Sequence, residues 1–198
     1  MRHSGLRLAH AVLLAALAAG CRTFPPPPPG LPWEERRPQL QARTHFELQG
    51  RVAVAAGAEG FNANLHWIQD GARAQLTLEG PLGVGGAQLT AAGDDLVLTT
   101  SRGEQLDSAA AHAQLIARLG FDPPLAALRY WVLGVPEPAA PASEALDSRQ
   151  QRLSSLTQSG WRIDYNSYVS TSGGTLPARL TLRRDAVRVR LLVDQWQP

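Results

Sequence analysis

Phe61, Ala63, Leu65 and Trp67 alternate with Asn62, Asn64 and His66, and this period of two constrains the chain more than any other feature. An apolar residue at every second position is the signature of a strand with one buried and one wet face. Ala74, Leu76 and Leu78 repeat it against Arg73, Gln75, Thr77 and Glu79. Shorter strands are expected at Arg51–Ala55, Ala87–Ala91 and Leu96–Thr100, with breaks at Gly57–Gly60 and Gly93–Asp95. The pattern returns near the C-terminus in residues 152–158, 161–169, 178–184 and 187–193. There Val187, Val189, Leu191 and Val193 face one way, and Arg188, Arg190 and Asp194 the other. Neighbouring strands without intervening helices form antiparallel meanders.

Between the two strand blocks the period changes. Asp107 or Ser108 opens a segment in which Ala111, Leu115 and Leu119 recur at helical spacing, ended by Gly120. Pro123 and Pro124 open a second helix over 125–133, ended by Gly134 and Pro136. Residues 136–141 read as a surface loop, and the alanine-rich stretch to 145 as an expansion of it. The expected fold is mainly β with a helical pair (α+β), a curved sheet or open antiparallel barrel with the pair packed across it.

The N-terminus has another character. Arg2 and Arg7 precede Ala11–Ala19, which reads AVLLAALAA. Nine apolar residues are too few to cross a bilayer core about 30 Å thick, so residues 1–20 read as a cleaved export signal. Leu17-Ala18-Ala19-Gly20-Cys21 resembles a bacterial lipobox, which makes Cys21, the lone cysteine, the expected lipidation site. A plain secretory signal followed by a stray cysteine is the alternative. In the enterobacterial sorting rule an aspartate after the cysteine favours inner-membrane retention; with Arg22 there, the lipobox resemblance implies the outer membrane. Of nineteen basic residues, all arginine, Arg2 and Arg7 leave with the signal, so seventeen face seventeen acids. Such a balance does not suit an electrostatic nucleic-acid binder. Pro25–Pro29 extends as polyproline II, making residues 21–44 a proline-rich tether. Residues 33–45 add a short helix that Pro38 would break or kink. The folded domain is expected at 45–198.

Reactive groups are sparse. His45, His66 and His112 lack metal-ligand spacing, no serine sits in a nucleophile elbow, and Gly83–Gly86 has no Walker lysine after it. The chain is therefore expected to have no catalytic residues, no metal and no cofactor. Three features remain open. Leu82, at the tip of Pro81-Leu82-Gly83, either folds back on the sheet or forms an apolar finger. Five tryptophans either pack the core or line an apolar cavity. Arg179, Arg183, Arg184, Arg188 and Arg190 form either a solvated face or a patch for anionic headgroups or an acidic protein rim.

Three segments carry a family resemblance: Gly80-Pro81-Leu82-Gly83, Leu128-Arg129-Tyr130-Trp131-Val132-Leu133-Gly134-Val135-Pro136 and Leu192-Val193-Asp194-Gln195-Trp196. Following a lipobox in this order, they resemble the LolB family of Gram-negative outer-membrane lipoproteins. The resemblance implies an incomplete antiparallel β-barrel closed by helices around a hydrophobic cavity. It implies a lipid-anchored monomer on the periplasmic face that accepts acylated lipoproteins from the soluble carrier LolA. The cargo is then inserted into outer-membrane phospholipid, without an enzymatic step. By the same resemblance, Pro81, Leu82 and Gly83 form a membrane-insertion loop. Trp67, Leu76, Leu128, Trp131, Trp161 and Trp196 are candidates for the acyl-chain cavity or its lid. A scaffold lipoprotein without a lipid cavity, or a module for free lipids, are the alternatives.

Overall fold

The computed structural model describes residues 31–80, 85–93 and 95–198. The export signal, Cys21, the proline run, and Pro81, Leu82 and Gly83 lie outside the described residues. Residues Leu31–Pro198 form one compact unit.

The helices are α1 (Trp33–Gln41), α2 (Ser108–Leu119) and α3 (Leu125–Val132). The first strand block is β1 (His45–Ala56), β2 (Glu59–Asp70), β3 (Arg73–Glu79), β4 (Gly86–Ala92), β5 (Asp95–Thr100) and β6 (Gln105–Leu106). The second is β7 (Ala142–Asp147), β8 (Arg152–Gln158), β9 (Trp161–Thr171), β10 (Gly174–Arg184) and β11 (Val187–Gln197). All described strands join one open antiparallel sheet in the order β6-β5-β4-β3-β2-β1-β11-β10-β9-β8-β7. Every neighbour is also a neighbour in sequence except β1 and β11, where the two blocks meet.

The alternation predicted for β2 holds: Ala63, Leu65 and Trp67 are buried, and Gln69 continues the inward set. His66 faces outward beside Glu47, and a 2.8 Å hydrogen bond from its Nε2 holds the Glu47 carboxyl below the usual carboxylate range. Strand β1 starts six residues earlier than expected, because Gly50 interrupts the apolar pattern. Gly50 instead marks a bulge. Gln49 pairs with Gln195 and Gly50 with Val193, leaving Asp194 as the extra residue. A Cβ at Gly50 would stand 2.2 Å from the carbonyl oxygen of Leu192. Gly50→Ala is therefore expected to cost about 2–3 kcal/mol, as backbone overpacking does, and urea unfolding measures it.

Two sequence expectations need correction. Residues Ala142–Asp147 are not loop but the edge strand β7, paired with β8 from Ala142 opposite Gln158 to Asp147 opposite Arg152. Its side chains are mostly exposed, so no apolar alternation marks it. Pro38 does not end α1. It forfeits one backbone donor, yet Ala42 N closes the last turn onto Pro38 O at 2.9 Å. Tertiary contacts hold the helix: Trp33 and Leu40 are buried, and Glu144 on β7 accepts from Trp33 Nε1 and pairs with Arg37, both at 2.9 Å.

The inner face of the sheet is covered in two parts. Helices α1 and α3 pack against β1, β2 and β8–β11 in the main core. Helix α2 covers β4 and β5 through Ala111 and Leu115, which meet Leu89, Leu96 and Leu98. Asp107 and Gly120 flank α2 as expected, with Gly120 in the left-handed conformation at φ 76°. Ser108 makes no side-chain cap; its Oγ accepts from Leu96 N at 3.0 Å and ties the helix to β5.

Candidate functional site

Helix α2 leaves part of the sheet uncovered beneath it. A cavity of about 540 Å³ lies there, lined on the sheet side by Val54, Phe61, Ala63, Leu78, Ala87 and Leu98. Leu115 and Leu119 line its helix side, the same i, i+4 face that predicted the helix. Gly80 and Gly85 close one end, with Gly80 N donating to Gly85 O at 3.2 Å. The cavity therefore reaches the β3–β4 connection, whose residues 81–84 lie outside the described residues. Arg118, in the last turn of α2, is the cationic residue of the lining. An apolar wall with few polar groups suits a ligand without charge or hydrogen-bonding capacity.

The six residues singled out as cavity or lid candidates lie elsewhere. Trp67 and Trp196 flank Phe46, each with its ring centre 5.7 Å away. Trp131 and Trp161 are 6.4 Å apart, and Phe121 meets Trp161 edge-on. All four tryptophans are buried in the main core, against which Leu128 is partly buried. None of the six lines the cavity. Leu76 comes nearest in role, since it packs against both the main core and the α2 cluster. The cavity residues alternate like the rest of the inward set, so no local signal separates a packed inward side chain from an unpacked one.

Three of these four indoles are positioned by hydrogen bonds as well as packing. Trp67 Nε1 donates to Gln69 Oε1 at 3.2 Å, and Trp196 Nε1 to Pro177 O at 2.8 Å. Trp131 Nε1 donates to Oε1 of the buried Gln158 at 2.8 Å. The same oxygen accepts from Glu137 N, and Gln158 Nε2 donates to the carbonyls of Glu137 and Ala140. Gln158, an amide in a strand with no sequence signal to mark it, holds the loop before β7 against α3. Helix α3 ends in a Schellman motif, with Val135 N bonded to Tyr130 O, Gly134 N to Trp131 O and Gly134 at φ 79°. That arrangement accounts physically for the Trp131–Pro136 segment. The Asp194 bulge does the same for the terminal one, since the extra residue turns Trp196 inward to meet Leu48.

Two tyrosines have structural roles. Burial pushes the Tyr165 and Tyr168 phenols up, and their hydroxyls donate to the carbonyls of Trp131 and Leu153. Among the described residues no three His, Cys, Asp or Glu side chains group as metal ligands. No described helix is long and apolar enough to cross a membrane.

Comparison with known proteins agrees with this architecture. The family model "Outer membrane lipoprotein LolB" matches residues 44–196. An outer-membrane lipoprotein LolB of Nitrosococcus oceani is 33% identical over 96% of this chain and 97% of its own. Its counterpart in Pseudomonas putida strain W619 is 34% identical over 93% of each chain. The crystal structure of a LolA-superfamily protein from Nitrosomonas europaea shares the fold at a TM-score of 0.53, with 9% identity over 85% of this chain and 94% of that one. A lipoprotein-sorting protein domain from Vibrio parahaemolyticus superposes equally well, at 0.53 with 7% identity over 83% of this chain and 90% of its own. From residue 44 to its terminal Trp196 motif, the chain belongs to the LolB family of lipid-anchored outer-membrane lipoproteins.

Proposed function

We propose that the protein accepts acylated lipoproteins from a soluble periplasmic carrier of the LolA type and passes their lipid moiety into the outer membrane. The cavity under α2 is the observation that carries this reading. An acyl chain gains about 0.8 kcal/mol for each methylene withdrawn from water, and has no polar group for a site to recognise. Passage from one apolar cavity to another requires only that the second be the better match, so neither a nucleotide nor a covalent step is involved. Cys21 would carry the anchor, held by acyl chains rather than by a membrane-spanning segment. Leu82, with Pro81 and Gly83, would enter the bilayer and open a path for the lipid. The buried tryptophans are the rigid backing of the site rather than its walls.

A fluorescent long-chain fatty-acyl probe tests the acceptor step on the chain from residue 21 carrying Cys21→Ala. Saturable binding is expected, and its absence would leave a scaffold lipoprotein as the better account. A probe that binds while an acylated lipoprotein cannot be captured from its carrier would favour a free-lipid module. Leu82→Glu separates acceptance from delivery. That variant is expected to fold and to take cargo normally, while transfer of the cargo to liposomes falls at least about tenfold, given the cost of carrying a carboxylate into hydrocarbon. Normal delivery by Leu82→Glu would remove the loop from the mechanism.

A further inference from the structure

The outward face of the sheet carries arginines in a register that sets like charges against each other. Arg162 on β9 lies directly opposite Arg183 on β10, and Arg183 directly opposite Arg188 on β11. With neighbouring strands about 4.8 Å apart, three guanidinium stems stand in one row. Opposed like charges destabilise a sheet pair. Asp164 relieves two of them, accepting from Arg162 Nε at 3.0 Å and from Arg183 Nη1. Arg188, and beyond it Arg190 and Arg179, are exposed and have no ion-pair partner among the described residues. Arg190 and Arg179 border a shallow groove of about 590 Å³ on this face, together with Asn62 and Asn64. Arg184, which the sequence grouped with these, departs from the row and stacks 4.6 Å above the Trp161 ring.

The row also has a definite place. Arg188 pairs with Ala55, and Gly57 N reaches Ala186 O, so the row stands one residue pair from the β1–β2 and β10–β11 turns. Glu79, the last residue of β3, pairs with Asn64, and β2 runs from there back towards the same β1–β2 turn. The β3–β4 connection, and with it the Gly80–Gly85 end of the cavity, therefore lies at the end of the sheet that carries the arginine row.

We propose that the Arg162–Arg183–Arg188 row docks on the phosphate headgroups of an anionic phospholipid bilayer and holds this end of the sheet against the membrane. Guanidinium forks match phosphate oxygens two at a time and shed water more readily than ammonium groups, and this chain uses arginine for every basic residue. An anchored protein meets its own bilayer at high effective concentration, so weak contacts suffice to orient it. A phosphate layer also relieves the mutual repulsion that the row carries in water. The proposal rests on the family's outer-membrane location and not on what the cavity holds.

The test uses the chain from residue 21 with Cys21→Ala, sedimented with vesicles of phosphatidylcholine alone or with about one third phosphatidylglycerol. Binding is expected only to the anionic vesicles, and to weaken as salt is raised. Arg183→Gln/Arg188→Gln is expected to bind them about tenfold more weakly, with urea unfolding unchanged or shifted to higher stability. Arg73→Gln/Arg149→Gln, which removes equal charge at the opposite end of the strands, is expected to bind as the parent does. Equal loss in both double variants would reduce the effect to net charge and overturn the proposal, as would undiminished binding by the first. Retained vesicle binding with lost carrier-dependent transfer would assign the row to an acidic protein surface and overturn it equally.

Discussion

Gln158→Leu is expected to destabilise the protein by about 3–4 kcal/mol, among the largest effects of any single substitution outside the apolar core. The side chain is buried and all its bonds are local to one joint: Trp131 Nε1 and Glu137 N donate to it, and the Glu137 and Ala140 carbonyls accept from it. Leucine fills the same space and pairs with none of them. Each buried polar group left without a partner costs about 1–3 kcal/mol, and the loop carbonyls recover part of that by turning to water. Urea unfolding gives the loss. Near-ultraviolet circular dichroism gives its site, because the Trp131 ring loses its orienting contact. Gln158→Glu supplies the discriminating control. A carboxylate still accepts from Trp131 but cannot donate to the two carbonyls, so its cost should be as large. A change below about 1 kcal/mol in Gln158→Leu would mean that packing alone holds the joint.

Filling the cavity should weaken acyl capture about thirtyfold without harming the fold. Ala87 on β4 pairs with Leu78 and Thr100 and faces into the space beneath α2. Ala87→Trp places an indole where a ligand's methylenes would lie. Excluding even two or three methylenes removes about 2 kcal/mol of transfer free energy, roughly a thirtyfold loss of probe affinity. Because the indole occupies existing space, unfolding stability should remain within about 1.5 kcal/mol of the parent. Unaltered acyl binding in a folded Ala87→Trp chain would place the acyl site elsewhere on the molecule. Trp131, Trp161 and their neighbours in the main core are almost wholly inaccessible to solvent.

Legibility in the sequence followed the strength of the local pattern. Strand β8 runs over the expected residues, and α2 keeps its expected flanks, because two-residue and 3.6-residue periods report directly which face is buried. Edge strand β7 left no trace, since an edge with both faces wet has no reason to alternate. Helix α1 was obscured by Pro38, whose intrinsic cost is local while the contacts that outweigh it, Trp33 and Arg37 on Glu144, come from more than a hundred residues away. Trp196 shows the sharpest limit. By simple alternation from Val187 it would face solvent, and the bulge at Asp194 reverses it. The arginine row depends likewise on the pairing of three separate strands.

The sequence by itself determined the strand–helix–strand layout and membership of a family recognisable by three short segments. Periodicity and turn chemistry act over a few residues, so a single chain displays them openly. Only the tertiary structure decided that the tryptophans are packed solid while the space lies under α2, bounded by residues from β1 to β5. A cavity is a difference between two packed surfaces that meet across the molecule. No residue carries that difference alone: Ala63 and Ala87 look like ordinary inward positions until the helix above them fails to fill the gap.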